Sequence, residues 1–406
     1  MSKKFGLIGE KLSHSFSVQI HSLLGDYEYR LYEIKRDKIK DFFENSGLDG
    51  FNVTIPYKQD VIPFCDEISD RARRIGSVNT VIRRADGSFF GDNTDYFGFS
   101  TLLGEVKETG KALILGSGGS AKTVRAVLED RAFDPIITVS RRGKDNYTNL
   151  SRHYDATLIV NTTPVGMYPD NGKAPLSLEG FDKLKLVIDL IYNPFYTALV
   201  LDAGRRGITA RGGLLMLAAQ GKMACEIFTG EKIDDARSFE ICDSLSLQMK
   251  NIVLVGMPGS GKSSIGRALA EKSVRAFFDA DEVFYEKHGI SAGDYIKNNG
   301  EKAFRLAETE ILRELCKKSG CVIATGGGAV TVDENFDILR QNSIVVFTDR
   351  DTSELESHGR PLSETLGVEK LYENRIDKYI SFSEHRFKVH GINETANDIY
   401  NTLFSR

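Results

Sequence analysis

The chain has 406 residues, which is long enough for two or three domains rather than a single core. It is 41% hydrophobic and 27% charged, as globular proteins are, and its net charge of −4 argues against a nucleic-acid surface. We find neither a signal peptide nor an apolar stretch of the ~18 residues needed to span a bilayer. Five scattered cysteines without CxxC spacing favour reduced thiols. We therefore expect a cytoplasmic protein without membrane contact.

Short apolar runs alternate with helical stretches along the whole chain. In the first part, β-like runs lie at residues 5–8, 29–34, 50–54 and 79–83. From about residue 104 the alternation restarts, with predicted strands at 113–115, 136–139, 158–160 and 186–189 and a helix at 213–230. Residues 239–250 are predicted to be a short connection, and a third alternating unit follows. This pattern predicts doubly wound α/β domains.

A glycine-rich turn follows the apolar run at 111–115. Gly116-Ser117-Gly118-Gly119-Ser120-Ala121 departs from GxGxxG at Ala121, so the motif alone is weak evidence for a dinucleotide site. Its strand-to-helix context supports one, because free N–H groups and the helix dipole can bind a phosphate. The next strand ends at Ser140-Arg141-Arg142, where arginines favour NADP over NAD. Two exposed loop arginines without a ligand are the alternative.

Lys58 and Asp95 are candidates for proton transfer. Lys58 ends a run that turns from a strand into a helix, and Asp95 closes the polar turn Gly91-Asp92-Asn93-Thr94-Asp95. Reduction of a ketone needs a group that delivers a proton to the developing alkoxide and a partner that sets its protonation state. A Lys–Asp pair can do this. A surface salt bridge or a helix N-cap is the alternative.

The run at 251–255 leads into a complete P-loop motif. The string from Gly256 to Ser263 matches GxxxxGK[ST] and lies between a predicted strand and a helix. Backbone N–H groups would surround the phosphates of ATP, Lys262 would reach the β- and γ-phosphates, and Ser263 would bind Mg²⁺. The predicted ATP contacts here are Pro258, Gly259, Ser260, Gly261, Lys262, Ser263 and Ser264.

Two carboxylates follow at alternate positions of a predicted strand, Asp279 and Asp281. Both can face one cleft, so that one serves the Mg²⁺ shell while the other accepts a hydrogen bond from an attacking hydroxyl. A helix N-cap is the alternative for either residue.

Further polar residues could complete this second site. Arg305 and Arg375 can bind a carboxylate bidentately, although both could also be surface arginines. The glycines of residues 325–328 allow close backbone approach to a ligand. Arg360 lies in a polar stretch suited to a mobile lid.

Residues 1 to about 246 resemble shikimate dehydrogenase along their whole length. The matching strings are Leu12-Ser13-His14-Ser15, residues 51–58, Gly76-Ser77-Val78-Asn79-Thr80, residues 91–95, the glycine loop, residues 161–167, and Gln220. The resemblance implies that Lys58 and Asp95 are catalytic. It implies a substrate site formed by Ser13, Ser15, Thr54, Asn79, Asp95, Tyr192 and Gln220. It also implies NADP contacts by Asp70, Gly116, Ser117, Gly118, Gly119, Ser120, Ser140, Arg141, Arg142, Lys144, Leu190 and Gly213.

The chain departs from this family at a few positions. Ser140 stands where the family often has Asn, and Ser117 and Ser120 replace common alanines, which leaves fine cofactor preference open. Relatives that act on quinate, often with NAD, share most of these motifs. The serines at 13 and 15 and the two loop arginines favour shikimate with NADP.

Residues 251–406 resemble shikimate kinase, with its P-loop, Asp-x-Asp, Phe-Arg, Gly-Gly-Gly and Arg-Pro-Leu strings in order. The resemblance implies that shikimate is bound by Asp281, Arg305, Gly327 and Arg375, with Lys262 and Asp281 catalytic. It places Asp279 near Mg²⁺ and makes Arg360 the lid arginine over ATP. Gluconate kinases share the P-loop architecture, but the Asp-x-Asp and triple-glycine strings argue against them.

The sequence as a whole predicts an α/β protein with two linked activities. A substrate domain at 1–103, completed by helices within 213–246, would precede a Rossmann-like NADP domain at 104–212 and a P-loop kinase domain at 247–406. The predicted function is reduction of 3-dehydroshikimate to shikimate, followed by its phosphorylation to shikimate 3-phosphate. The alternatives are a quinate/shikimate dehydrogenase with one vestigial half, or a non-catalytic metabolite sensor. The expected ligands are small molecules, and the oligomeric state is left open.

Overall fold

A computed structural model describes residues 3–12, 15–106, 109–355 and 367–404. The chain divides into two compact units. Unit 1 comprises Met1–Val165, Ala174–Tyr192 and Asp202–Ser244, and unit 2 comprises Gly166–Lys173, Asn193–Leu201 and Leu245–Arg406. Sheets with helices between their strands make up both units, which confirms the predicted α/β class.

The first sheet of unit 1 is mixed. Its strands are β1 (Lys4–Gly9), β2 (Glu28–Glu33), β3 (Gly50–Val53), β4 (Glu67–Ile68), β5 (Thr80–Arg83) and β6 (Phe89–Asp92), in the order β2-β1-β3-β5-β6-β4. β5 is antiparallel to both β3 and β6, and the other pairs are parallel. The helices along this part of the chain are α1 (Ser17–Leu24), α2 (Ile39–Asn45), α3 (Asp70–Ile75) and α4 (Asp95–Leu103).

The second sheet of unit 1 is fully parallel. Its strands are β7 (Ala112–Leu115), β8 (Ile136–Val139), β9 (Leu158–Asn161), β10 (Leu186–Asp189) and β11 (Thr209–Arg211), in the order β11-β10-β9-β7-β8. The inner strands are almost wholly apolar and buried along their length, as parallel strands covered on both faces require. Helices α5 (Gly119–Asp130) and α7 (Leu214–Thr229) belong to the same unit.

Unit 2 is built on a five-stranded parallel sheet in the order β13-β14-β12-β15-β16. The strands are β12 (Asn251–Val255), β13 (Phe277–Asp279), β14 (Val322–Ala324), β15 (Ser343–Asp349) and β16 (His385–Lys388). The helices are α9 (Lys262–Ser273), α10 (Ala280–His288), α11 (Ala292–Asn299), α12 (Glu301–Cys316), α13 (Glu334–Arg340), α14 (Val368–Glu373), α15 (Ile376–Phe382) and α16 (Ile392–Phe404). The P-loop follows the central strand β12.

Two of the boundaries between the units fall within helices, one in α6 (Ala198–Arg205) and one in α8 (Ala236–Met249). Residues 239–250 were predicted to be a connection, but all except the last lie in α8. The physical reason is a helical stripe, because Ile241, Leu245 and Met249 are buried at intervals of four residues. The absence of Pro and Gly from this run permits the helix.

The structure contains short 3₁₀ turns as well, at Arg36–Lys38, Ile62–Phe64, Leu150–His153, Ala329–Thr331 and Thr352–Glu354. Within the part of the chain that the structure describes, no helix has the length and apolar character needed to cross a membrane.

Candidate active sites

Unit 1 contains a cavity of about 540 Å³. Its lining includes six of the seven residues predicted to bind the substrate of the dehydrogenase, together with Lys58, which was predicted to be catalytic; the six are Ser15, Thr54, Asn79, Asp95, Tyr192 and Gln220. Of the predicted cofactor residues it includes Ser120, Leu190 and Gly213. Ser13 lies outside the described residues. Residues far apart in the chain therefore converge here, because the loops at strand and helix ends meet around one opening.

The Lys58–Asp95 pair is formed at this cavity. Lys58 Nζ donates to Asp95 Oδ2 at 2.6 Å, and the side chains are only 21% and 11% exposed. Asp95 is the first residue of α4, and the N-cap position is held by Thr94, so Asp95 is not the cap. The pair is thus neither a surface salt bridge nor a helix cap, and its ammonium group lines a cavity of substrate size.

A network of buried, hydrogen-bonded polar side chains lines part of the same cavity. Asn79 Oδ1 accepts from Thr94 N at 2.7 Å, and Asn79 Nδ2 donates to Gln220 Oε1 at 3.5 Å. Asn52 donates to Thr80 Oγ1 at 3.0 Å and accepts from the Tyr29 hydroxyl at 2.7 Å. Asn52 also lines the cavity, although sequence reasoning did not select it. A signal was present, since Asn52 lies on β3 two residues before Thr54, and alternate residues of an extended chain point the same way.

The turn that carries Asp95 is anchored by a buried carboxylate. Arg71 donates bidentately to Asp92, Nε to Oδ1 at 2.7 Å and Nη2 to Oδ2 at 2.6 Å. Ser69 and the backbone N–H of Asn93 donate to the same Oδ1. Burial by itself would raise the pKa of Asp92, but these donors outweigh it and hold the pKa below its usual value. The turn is therefore fixed by a charged group.

The predicted cofactor loops lie at the ends of β7 and β8. Gly116 has φ +107°, and a Cβ there would meet Thr162 Oγ1 at 2.8 Å, so this turn requires glycine. Ser117, Gly118 and Gly119 lead into α5, whose first residue is Gly119. At the other loop, Ser140 is half-buried, and Arg141, Arg142 and Lys144 are exposed. Asp70 begins α3, pairs with Arg73 at 3.5 Å and does not line the cavity.

Unit 2 contains a second cavity, of about 570 Å³. Its lining includes the predicted residues Pro258, Gly259, Gly261, Lys262, Ser263, Ser264, Asp281, Arg305, Gly327 and Arg375. Ser260 is fully buried instead, with its hydroxyl 3.1 Å from Thr348 Oγ1. Arg360 falls outside the described residues. The cavity lining also includes Glu308, Arg350 and Ile392, which sequence reasoning did not identify.

The P-loop has the backbone that a phosphate site needs. Gly256 and Gly261 have φ values of +154° and +90°, and a Cβ on Gly256 would meet Thr348 O at 2.5 Å. Lys262 begins α9, and its Nζ donates to the carbonyls of Gly256 and Met257 at 3.0 and 2.9 Å. A buried ammonium group therefore lies at a helix N-terminus, where an anion is favoured.

Carboxylates and arginines face each other across the second cavity. Burial, with a further contribution from Asp279, raises the pKa of Asp281. Burial likewise raises the pKa of Glu308, although Arg305 Nη1 donates to its Oε2 at 2.7 Å. Asp279 is the N-cap of α10 and accepts from Asp281 N at 2.9 Å. Asp279 and Asp281 also line a shallower groove together with Ser263.

Arg375 is the most informative charge in this cavity. Its side chain is buried, with 5% exposed, and Nη1 donates to the carbonyl of Gly327 at 3.2 Å. Among the described residues it forms no salt bridge, although a buried cation ordinarily needs an anionic partner. Gly327 itself is tightly packed, because a Cβ there would meet Pro258 at 2.6 Å. The geometry suits a ligand with a negative charge beside Arg375.

Fold and sites together define the class of protein: an α/β enzyme with a largely buried Lys–Asp pair in one unit and a P-loop in the other. Family models match both parts of the chain. A model described as the shikimate dehydrogenase substrate binding domain matches residues 7–81, and the shikimate kinase model matches residues 258–403. The chain belongs to the shikimate dehydrogenase family and carries a shikimate kinase domain in its C-terminal part.

Individual proteins agree with this assignment. The shikimate dehydrogenase (NADP(+)) of Clostridium perfringens strain 13 is 38% identical over 267 residues, covering 60% of this chain and 98% of that protein. A chorismate mutase/shikimate 5-dehydrogenase fusion from Clostridium acetobutylicum aligns with a TM-score of 0.57 at 38% identity, over 60% of this chain and 97% of that one. Thermus thermophilus shikimate 5-dehydrogenase, solved with NADP(H) and shikimate, aligns with a TM-score of 0.55 at 28% identity, over 60% and 99%.

The anchor of the Asp95 turn yields a stability prediction. Asp92→Asn should lower the free energy of unfolding at neutral pH by about 1.5–3 kcal/mol, because charged hydrogen bonds become neutral ones. The folded-state pKa of Asp92 lies below that of the unfolded chain, so the contribution is present above about pH 4 and is lost as the pH falls through the folded-state pKa. Urea unfolding of the wild type and of Asp92→Asn at a series of pH values measures the two free energies of unfolding. A difference between them that does not shrink at acid pH would contradict the prediction.

Proposed function

We propose that the chain reduces 3-dehydroshikimate to shikimate with NADPH in the cavity of unit 1, and phosphorylates shikimate to shikimate 3-phosphate with ATP in the cavity of unit 2. The observation that carries the proposal is that each unit belongs to an enzyme family of shikimate metabolism and retains its own set of reactive groups. The product of the first reaction is then the substrate of the second. Both activities make use of one small polyhydroxy acid.

In the first reaction, the residues of unit 1 hold the substrate and transfer a proton. The hydroxyl and amide side chains of Ser15, Asn79 and Gln220 suit the substrate's carboxylate and hydroxyl groups. Lys58 Nζ donates a proton to the carbonyl oxygen as it becomes a hydroxyl, and Asp95 orients the ammonium group through its hydrogen bond. NADPH, when bound, supplies the hydride to the carbonyl carbon. Ser120, Leu190 and Gly213 line the cavity wall on which we propose it binds.

In the second reaction, unit 2 orients an alcohol toward a phosphate. Arg375 and Arg305 hold the carboxylate of shikimate, which supplies the anion that buried Arg375 lacks. Asp281 accepts a hydrogen bond from the attacking hydroxyl, and a raised pKa suits it to take up that proton. Lys262 stabilises negative charge on the phosphates at the N-terminus of α9.

A magnesium ion fits the groove beside the P-loop. Ser263, Asp279 and Asp281 line it, and hydroxyl and carboxylate oxygens are the ligands that Mg²⁺ prefers. We propose that Ser263 and Asp279 would hold the ion, with Asp279 also capping α10. The ion would neutralise charge on the phosphates of ATP.

A quinate dehydrogenase is the second candidate for unit 1. Such an enzyme from Corynebacterium glutamicum, solved with NAD, aligns with a TM-score of 0.55 at 27% identity. Against it, the exposed basic side chains of Arg141, Arg142 and Lys144 suit a 2′-phosphate, which NAD lacks. A non-catalytic sensor is disfavoured as well, since it would have no need to retain Lys58, Asp95, Lys262 and Asp281 together.

One reaction mixture tests the whole proposal. Purified protein with 3-dehydroshikimate, NADPH, ATP and Mg²⁺ should yield shikimate 3-phosphate, identified by mass, with shikimate accumulating when ATP is omitted. Parallel reactions with NADH and with quinate and NAD address the second candidate. Formation of shikimate without phosphorylation would instead indicate a vestigial kinase, and turnover of quinate alone would overturn the assignment of unit 1.

Lys58→Ala should lower NADPH oxidation with 3-dehydroshikimate by about 10²–10⁴-fold, since the proton donor of the reduction is lost. ATP-dependent phosphorylation of shikimate should be unchanged, because Lys58 lies in unit 1. Both rates are measured on the same preparation, so the kinase reaction controls for folding. A parallel loss of both activities in a folded protein would rule out two independent sites.

Lys262→Ala should have the reverse effect, lowering phosphorylation by at least about 10²-fold while NADPH oxidation is retained. Lys272→Ala provides a matched control on the same helix, because Lys272 is exposed and its Nζ binds Asn397 rather than the cavity. Steady-state assays of both reactions on the two variants make the comparison. Equal phosphorylation rates in both variants would contradict the role of Lys262.

A further inference from the structure

The loop after β8 carries an unusual charge pattern. Residues 141–145 read Arg-Arg-Gly-Lys-Asp, and Asp145 is the sole acidic residue between Ser140 and His153. The side chains of Arg141, Arg142 and Lys144 are exposed and form no salt bridge within the described part of the chain. A carboxylate among three basic neighbours could pair with any of them, but the described part of the chain shows no salt bridge between Asp145 and these residues.

The carboxylate of Asp145 is bound by His153 instead. His153 Nε2 lies 2.9 Å from Asp145 Oδ1, and since a carboxylate only accepts, Nε2 carries the donated hydrogen. The imidazole is 8% exposed, and its Nδ1 has no partner among the residues that the structure describes. The Asp145 carboxylate is therefore bound by a buried imidazole, whereas the arginine side chains are exposed to solvent.

Backbone contacts fix the same loop in place. Ser140 N donates to Asp145 O at 3.1 Å, and a β-bridge joins Val139 to Asp145. The side chain of Asn149 donates to the carbonyl of Lys144 at 3.0 Å, and that of Asn146 to the carbonyl of Gly143 at 3.3 Å. The backbone of Asp145 thus has a defined position, and its carboxylate contacts His153.

We propose that His153 is a positioning residue for cofactor preference, which keeps the Asp145 carboxylate occupied so that Arg141, Arg142 and Lys144 remain free to bind the 2′-phosphate of NADPH. Released from His153, the carboxylate would pair with an arginine and repel a phosphate. Both effects weaken the binding of NADPH. The binding of NADH, which lacks that phosphate, is unaffected. This inference rests on the proposed binding of NADPH at the loop.

The test measures KM and kcat for NADPH and for NADH. His153→Ala should raise KM for NADPH by about tenfold, as expected for the loss of one charge-assisted contact, while kcat and the KM for NADH stay unchanged. His153→Gln, which retains an N–H donor, should restore much of the wild-type KM. His153→Phe keeps a ring of similar volume but has no donor, so it should raise KM for NADPH as the alanine variant does. It serves as the test if His153→Ala fails to fold.

A second substitution isolates the carboxylate. Asp145→Asn in the His153→Ala background should return KM for NADPH to within about twofold of the wild type, because the competing charge is gone. An equal rise of KM for both cofactors, no rise for NADPH, or a double variant no better than His153→Ala would each overturn the inference. Wild-type protein that uses NADPH and NADH equally well would instead overturn the cofactor assignment itself. Shikimate phosphorylation by each variant reports that the chain is folded.

Discussion

Both units depend on the parallel arrangement of their central strands. A parallel sheet brings the carboxyl ends of neighbouring strands to one edge, so the loops that follow them meet there. In unit 2 this places the P-loop after β12, the capping Asp279 at the end of β13 and the triple glycine after β14 along one edge. In unit 1 the glycine loop after β7 and the basic loop after β8 are neighbours for the same reason.

The two candidate sites differ in how their charged side chains are paired. In unit 1, Lys58 and Asp95 form a largely buried ion pair at the cavity. Unit 2 instead keeps a buried cation, Arg375, bonded to a carbonyl, next to carboxyl groups whose pKa values burial raises. Lys58 thus has an ionic partner within its own unit, whereas Arg375 forms no salt bridge among the described residues and interacts with Glu308 only through the electrostatic field.

Much of this was predictable from local patterns. The parallel strands of unit 1 lie within a residue or two of their predicted bounds, since their apolar runs are bounded by glycine-rich or polar turns. The strands β4 and β11 were not predicted, because segments of two or three residues are too short to show a periodicity. The helix α8 was not predicted either, because its apolar residues, which recur every four positions, were interpreted as part of a connection. Glu308 and Arg350 were not identified, because neither belongs to a motif and each joins its site only through folding, whereas Asn52 lies within the matching string at 51–58 but was not selected.

By itself the sequence determined the α/β class, the glycine-rich backbone of the P-loop and most of the candidate residues that line the two cavities, because those properties reside in short strings whose chemistry is local. Only the tertiary structure decided which partner each charge takes. Asp92 binds Arg71 across 21 residues, and Asp145 binds His153 rather than its basic neighbours. Pairing of this kind depends on distance and burial in three dimensions, since the interaction of two charges follows their separation in space and the water around them.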